Sequence, residues 1–485
     1  MTSVTLLPRG GKEERLIPPQ AVDAFLDALS EQGLELHSFM LLRHGKVAAE
    51  GWWAPYSADY PHTLFSLSKS FTSTAVGIAA AEGLLDVHDK VASFFPEEAP
   101  ERPTDYLAAM EVRHLLTMST GHAKCAMEWA RRHEPKHWVK GFLHAPVDYE
   151  PGTHFVYNNG ASYMLSAIVQ KVTGESMLDY LRPRLFEPLG IVEAAWETCP
   201  RGISKGGWGL SLISESIAKF GELLLRKGNW NGRQLVPEAW VEAATSKMMM
   251  ANDGGIGIDW TQGYGYQFWQ CRHGAFRGDG MFGQFCIVLP QQDAVIAMTA
   301  ATSRMQAVLN AVWEHLLTGL GGEGERELPS VKEESYDMLL KRLGSQNVQP
   351  FYPVTDSVRE SALNNKRYTF ASDDDGIQSI QFQFERNEIR IEVQMSKKKH
   401  AIRCGKGEWV YSEAVFEGKL QPVAASCGWE APDLLSVNVC VVETPFRLTA
   451  TFRFEEDLVR MDWGRNVPER PREHKTGRIV PNDPG

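Results

Sequence analysis

From Ile380 to Met395 apolar and polar side chains alternate one by one, and nothing else in this sequence restricts the fold so sharply. Ile380, Phe382 and Phe384 alternate with Gln381, Gln383 and Glu385; past Arg386-Asn387, Ile389, Ile391, Val393 and Met395 alternate with Arg390, Glu392 and Gln394. Successive strand residues face opposite ways, so such a run wets one face of a sheet and buries the other, a pattern no helix could use. Residues 437–442, 446–454 and 458–463 continue it. Several such strands must close on themselves or stack to hide the apolar face. Residues 365–485 are therefore expected to form an antiparallel all-β domain, a small barrel or a sandwich.

Upstream the period changes. Residues 21–29 read as a helix, 38–43 and 46–51 as a hairpin about His44-Gly45, 283–289 and 294–300 as a second hairpin about residues 290–293, and 305–317 as a closing helix. Helices at both ends of antiparallel strands point to an α+β sandwich. Gly319 to Glu327, rich in glycine and charge, marks a linker. The expected organisation is a domain over 1–320, a linker over 321–364 and the β domain over 365–485, with no repeat of 20 to 50 residues.

A net charge of −11 over 485 residues argues against nucleic acid as a partner. The first sixteen residues carry Arg9, Lys12, Glu13, Glu14 and Arg15 and no apolar core, and the small-residue run 75–81 stops at Glu82, far short of the ~18 residues of a membrane span. The chain is expected in the cytoplasm, away from membranes. Seven scattered cysteines without a C-x-x-C pair suit reduced thiols better than disulfides or a metal cluster, and no cofactor is implied.

The chemistry gathers at Ser66-Leu67-Ser68-Lys69. A serine needs an adjacent base to become a nucleophile, and residues three apart on a helix share a face. The pattern also occurs at Ser216 to Lys219 and Ser396 to Lys399. Context selects the first: Ser66 opens a stretch rich in Ala and Gly suited to a central helix, whose N-terminus favours developing negative charge. Ser216 lies in an amphipathic run that would leave Lys219 solvated, and Ser396 opens a basic turn. A second element is Tyr157-Asn158-Asn159: a phenol beside a lysine can exchange protons with serine and leaving group, and an amide can orient the lysine and a substrate carbonyl.

Together Phe65-Ser66-Leu67-Ser68-Lys69-Ser70 and Tyr157-Asn158-Asn159 resemble the serine β-lactamase and penicillin-binding-protein superfamily, most of all class C β-lactamase-like hydrolases. Leu115 to Gly121 (LLTMSTG) and Gly206 to Leu210 (GGWGL) are similar to two further segments of that family, and the resemblance spans about residues 20 to 320. It implies a β-lactamase/transpeptidase-like antiparallel sheet with flanking helices and a helical subdomain; the C-terminal β domain would be a lipocalin-like barrel or a sandwich. It implies Ser66 as the acylated residue, Lys69 and Tyr157 as managers of its proton, and Asn159 in support. It departs at the third family motif, where Arg277-Gly278-Asp279-Gly280-Met281 stands in place of Lys-Thr-Gly or His-Thr-Gly. Backbone near Gly280 and Met281 can still complete an oxyanion hole, whereas the cation for a substrate carboxylate is missing unless Arg277 replaces it. A literal Lys475-Thr476-Gly477 falls in the C-terminal tail, past the alternating strands.

The expected function is a serine hydrolase acting on a small ester, amide or peptide, of esterase or D-amino-acid peptidase type, with weak or no β-lactamase activity. A true class C β-lactamase or an acyltransferase is the neighbouring alternative. Two readings come from other classes: a binding protein on the same scaffold, and a zinc hydrolase through His133-Glu134-Pro135-Lys136-His137, with His144 and Glu150 nearby. Pro135 opposes the single helix the zinc reading needs. The sequence leaves the oligomeric state open.

Overall fold

The computed structural model describes residues 6–11, 14, 16–251, 257–321, 333–353, 357–371, 376–395, 398–468 and 471–479. Part of the charged N-terminal stretch, the linker segment 322–332 and Ser396 lie outside them. The chain divides into two compact units: one comprises Met1–Trp52, Pro61–Ala300 and Arg304–Ser345, the other Trp53–Tyr60, Ala301–Ser303 and Gln346–Gly485.

The first unit is built on strands β1 (Leu36–Arg43), β2 (Lys46–Trp52), β3 (Trp269–Gln270), β4 (Phe276–Gly280), β5 (Gln284–Leu289) and β6 (Ala294–Ala300). Their order is β2-β1-β6-β5-β4-β3, every neighbour antiparallel, with Met40 opposite Ala297 and Cys286 opposite Gly278. Both expected hairpins are present. Every residue of β1, β5 and β6 is buried, as a strand covered on both faces must be. Helix α1 (Pro19–Glu31) lays Phe25 against Phe39 of β1, ring centroids 5.3 Å apart.

Helix α2 (Ser68–Ala81) has twelve of its fourteen residues buried, and its small side chains let helix α3 (Asn159–Thr173) pack closely beside it. Helix α4 (Ser214–Leu225) packs on β1, β5 and β6 and stacks Phe220 on Phe71 of α2 at 3.8 Å. That burial reverses one expectation: Lys219 is 1% exposed, not solvated. Its amphipathic run is covered on its polar side too, where Ser216 Oγ donates to Glu193 Oε1 at 2.7 Å and Lys219 Nζ donates to the Gly190 carbonyl at 3.5 Å.

The second unit contains β7 (Arg367–Phe370), β8 (Ile377–Phe384), β9 (Glu388–Met395), β10 (Lys398–Lys406), β11 (Val410–Phe416), β12 (Lys419–Ala431), β13 (Leu434–Val441), β14 (Arg447–Phe454), β15 (Leu458–Arg465) and β16 (Glu473–Ile479). Nine of these strands form a closed barrel: β10 pairs in parallel with β12, Gly405 opposite Ser426, while β11 continues the sheet as the other arm of a hairpin with β12. The alternation has its expected cause. Ile380, Phe382, Ile389, Ile391, Phe452 and Phe454 turn inward, and Phe382 meets Phe452 and Phe454 edge to face at 5.1 and 5.2 Å. Closure decides between barrel and sandwich, because it alone removes the exposed edges. The C-terminal stretch is no tail: Lys475-Thr476-Gly477 lies on β16, paired with β7 and β15.

Candidate active site

Ser66 lies in a single 3-10 turn, Phe65–Leu67, that runs straight into α2. The serine thus precedes the α-helix by two residues, yet the spacing of three to Lys69 still brings the side chains together: Lys69 Nζ is 3.0 Å from Ser66 Oγ. Phe65 enters the turn with φ +46°, a left-handed backbone disfavoured for a side chain of that size. Ser68 fastens the turn, its Oγ donating to the Phe65 carbonyl at 2.6 Å and accepting from the Leu210 amide at 3.1 Å.

Lys69 is 1% exposed, and its amine meets two further acceptors, Asn159 Oδ1 at 2.7 Å and the Gly207 carbonyl at 2.6 Å. Burial pulls its pKa from 10.5 down to about 7, against smaller upward pulls from Cys125 and Asp279. A neutral amine has two protons and one lone pair. With Asn159 and Gly207 taking the protons, the lone pair is left for Ser66, the arrangement a general base requires.

Tyr157 completes the group. Lys69 Nζ stands 4.8 Å from the centre of its ring, Trp269 stacks on it at 5.6 Å, and the neighbouring Ser66 pulls its pKa down. Burial, then the charge of Asp279, hold this phenol well above its ordinary pKa, so at neutral pH it is a proton donor.

The middle residue of this motif, which the sequence analysis passed over, holds the other two in place. Asn158 is buried; its Oδ1 accepts from the amides of Ala126 and Gly160 at 3.0 and 2.9 Å, capping α3, and its Nδ2 donates to Thr120 Oγ1 at 3.3 Å. Thr120 and Met118, whose sulfur accepts from the Asn158 amide at 3.2 Å, both belong to the LLTMSTG segment, which accounts for that segment beside the site. The GGWGL turn likewise supplies the Gly207 carbonyl. Gln267 was also missed: its Nε2 donates to the carbonyls of Leu115 and Leu116 at 3.0 and 2.8 Å, and its own carbonyl accepts from Ser70 of α2 at 3.0 Å.

Strand β4 runs against the Ser66 turn with glycines where it comes closest. A Cβ on Gly280 would lie 2.0 Å from the Leu64 carbonyl, and one on Gly278 would lie 2.5 Å from both Leu67 Cδ1 and Ser70 Oγ. Only glycine permits this approach. Met281, the next residue, is 56% exposed at the strand's end. Arg277, the one residue offered in place of that cation, lies inside the protein. It is 0% exposed, with Nε donating to Asp279 Oδ2 at 2.9 Å, Nη1 donating to the Asp259 carbonyl at 2.8 Å, and Trp260 4.3 Å from the guanidinium. Its charge is engaged inside the protein.

The zinc constellation does not assemble. The helix carrying His133 ends there, Glu134 is its C-cap, and His137 begins the next element as an N-cap, so the histidines share no helical face. The His133 ring stacks on Trp129 at 4.1 Å. Among the described residues no three His, Cys, Asp or Glu side chains are grouped to hold a metal ion. Also among the described residues, no helix is long and apolar enough to cross a membrane.

The family model named Beta-lactamase matches residues 22–317. The 6-aminohexanoate-dimer hydrolase of Paenarthrobacter ureafaciens is 28% identical over 299 residues, covering 56% of this chain and 76% of that protein. The lovastatin esterase of Penicillium rubens is 26% identical over 231 residues, 41% of this chain and 57% of that one. The structure of the octameric penicillin-binding protein homologue from Pyrococcus abyssi shares the fold with a TM-score of 0.50 at 16% identity, covering 95% of this chain and 99% of that chain.

Proposed function

As a member of the Beta-lactamase family this chain is a serine hydrolase, and we propose that it cleaves carboxylic esters or amides through an acyl-enzyme on Ser66, with weak or no β-lactam turnover. The observation that carries the reading is the buried Lys69 amine 3.0 Å from Ser66 Oγ, its pKa pulled by burial down to about 7. Neutral Lys69 takes the hydroxyl proton as Oγ attacks the substrate carbonyl carbon. As the tetrahedral intermediate collapses, the bond to the leaving group breaks and Tyr157 gives that group a proton, which the Lys69 ammonium restores. Water then attacks the ester on Ser66, the same pair taking its proton and returning it to Oγ. The amides of Ser66 and of the backbone at Met281 are the donors for the developing oxyanion, a role main chain fills whatever side chains the strand carries.

Relatives named for a 6-aminohexanoate dimer and for lovastatin favour amide or ester bonds. Against efficient β-lactam turnover stands the strand itself, whose cation Arg277 is buried against Asp279. The test is labelling with a fluorophosphonate followed by peptide mass spectrometry, together with a panel of short-chain p-nitrophenyl esters, D-amino-acid amides and nitrocefin. The adduct is expected on Ser66, with short esters ahead of nitrocefin in kcat/KM. An adduct elsewhere, or nitrocefin turnover near the ~10⁶ M⁻¹s⁻¹ of an efficient enzyme, overturns the reading.

A further inference from the structure

A cavity of about 550 Å³ opens beside Asn159, the residue that holds Lys69. Met127 and Trp208 give it an apolar wall. Its charged lining is Glu128, Arg131 and Arg132, two guanidinium groups against one carboxylate, all on the helix Ala126–His133. The wall and the catalytic lysine share a support, since Trp208 follows Gly207, whose carbonyl accepts from Lys69. Arg131 and Arg132 are both exposed, and Arg131 rests beside an aromatic ring. Its guanidinium lies 5.6 Å from the centre of the Trp138 ring, and Trp138 stacks on Trp208 at 6.1 Å.

We infer that this cavity receives an anionic substituent of the substrate, a carboxylate on a short apolar stem. The inference rests on the reading of Ser66 as nucleophile. An apolar wall with an excess of positive charge beside it suits an aliphatic stem ending in an anion, and the planar guanidinium fork matches a carboxylate better than an ammonium would. The strand beside Ser66 cannot do this work, because Arg277 is already bound to Asp279. The cation for a substrate carboxylate has thus moved from strand β4 to the helix on the far side of Asn159.

Two matched pairs distinguish which half of the substrate carries the anion: p-nitrophenyl hydrogen glutarate against p-nitrophenyl pentanoate for the acyl side, and p-carboxyphenyl butyrate against p-carbamoylphenyl butyrate for the leaving side. The readout is the ratio of kcat/KM for the charged over the neutral member, which cancels any loss striking both. In one of the pairs the doubly substituted Arg131→Gln/Arg132→Gln protein is expected to lose about fivefold or more of that ratio, and added salt to erode it in the natural protein. Arg131→Lys/Arg132→Lys should recover part of it. Binding of the same four compounds to Ser66→Ala protein, measured by calorimetry, repeats the comparison without turnover and should show the charged member of that pair bound more tightly. Unchanged ratios in both pairs after the double substitution, or equal binding of charged and neutral members to the Ser66→Ala protein, overturn the inference. Absence of turnover with every ester while the binding preference persists overturns the proposed reaction and leaves the subsite standing.

Discussion

Replacing Lys69 by methionine should make the first unit less dependent on pH while abolishing catalysis. The drop in the lysine pKa from 10.5 to about 7 corresponds to a cost of about 5 kcal/mol for keeping the ammonium buried, at about 1.36 kcal/mol per tenfold change. The folded state holds the proton less tightly than the unfolded chain, so it is the unfolded state that binds more protons between about pH 7 and about pH 10.5, and the lysine's penalty fades as pH rises through that window. Below about pH 7 the full penalty applies. Integrated from about pH 6 to about pH 9, the penalty falls by roughly 3 kcal/mol. Methionine has no such slope. It leaves Asn159 Oδ1 and the Gly207 carbonyl without their donor, at roughly 1–3 kcal/mol each, a loss that does not vary across this range.

The quantity to measure is therefore the difference in unfolding free energy between the two proteins as a function of pH. Because the chain has two units, its unfolding need not be one step. Urea titrations read by a hydrogen-exchange pulse on peptides from helix α2 report the unit that holds Lys69. The natural protein should gain on the Lys69→Met protein by about 2–3 kcal/mol over that pH interval, and kcat/KM for a short ester should rise to a plateau with a midpoint near pH 7. A difference that stays flat from about pH 6 to about pH 9 would mean that Lys69 keeps its proton throughout, and the assignment of a neutral base would fall.

Tyr157→Phe should lower kcat by about a hundredfold or more with the fold intact, and because the phenol is held well above its ordinary pKa, the natural enzyme's kcat/KM should show no alkaline fall from Tyr157 up to about pH 10; a tyrosine titration below that would contradict the donor role. Asn158→Ala removes the cap of α3 and the ties to Ala126 and Thr120, so thermal unfolding should show a loss of about 1–3 kcal/mol, accompanied by a fall in kcat larger than any rise in KM. Gly280→Ala drives a methyl group into the Leu64 carbonyl and should cost about 1–3 kcal/mol and most of the fluorophosphonate labelling rate, whereas unchanged labelling would detach β4 from the site.

What the sequence made legible follows from where each signal resides. Ser66 and Lys69 are three apart, so their contact is a local consequence of helical geometry and survived the replacement of an α-helical start by a 3-10 turn. The barrel was legible for a similar reason: an inward-facing row at 380, 382, 389 and 391 needs only the period of a strand, and what the pattern leaves undetermined, closure, depends on a parallel pairing of Gly405 with Ser426 that no local rule encodes. Lys219 was misread because amphipathicity tells which side of a helix is apolar and is silent on whether the other side is covered. Gly207 was noticed only as part of a turn, since a main-chain acceptor 138 residues from its lysine has no side-chain signature. Asn158 hid between two residues with obvious chemistry, although a capping Asn immediately before an apolar helical run is a readable sign.

The misreading of Arg277 has the most consequence for the chemistry. A lone arginine in the slot of a missing cation looks like its replacement, but the residue two positions on faces the same side of the strand, and in a strand two residues apart are side by side. Asp279 is buried, and its charge reaches both Lys69 and Tyr157, raising the pKa of each. Left alone, such a carboxylate would favour the ammonium form of Lys69 and take the base away. Arg277 is paired with it at 2.9 Å and opposes it at Tyr157 with a smaller downward pull. At Lys69 desolvation outweighs the attraction of Asp279, which is the condition for a free amine at neutral pH. A strand whose cation is buried against its own carboxylate has none to offer the substrate.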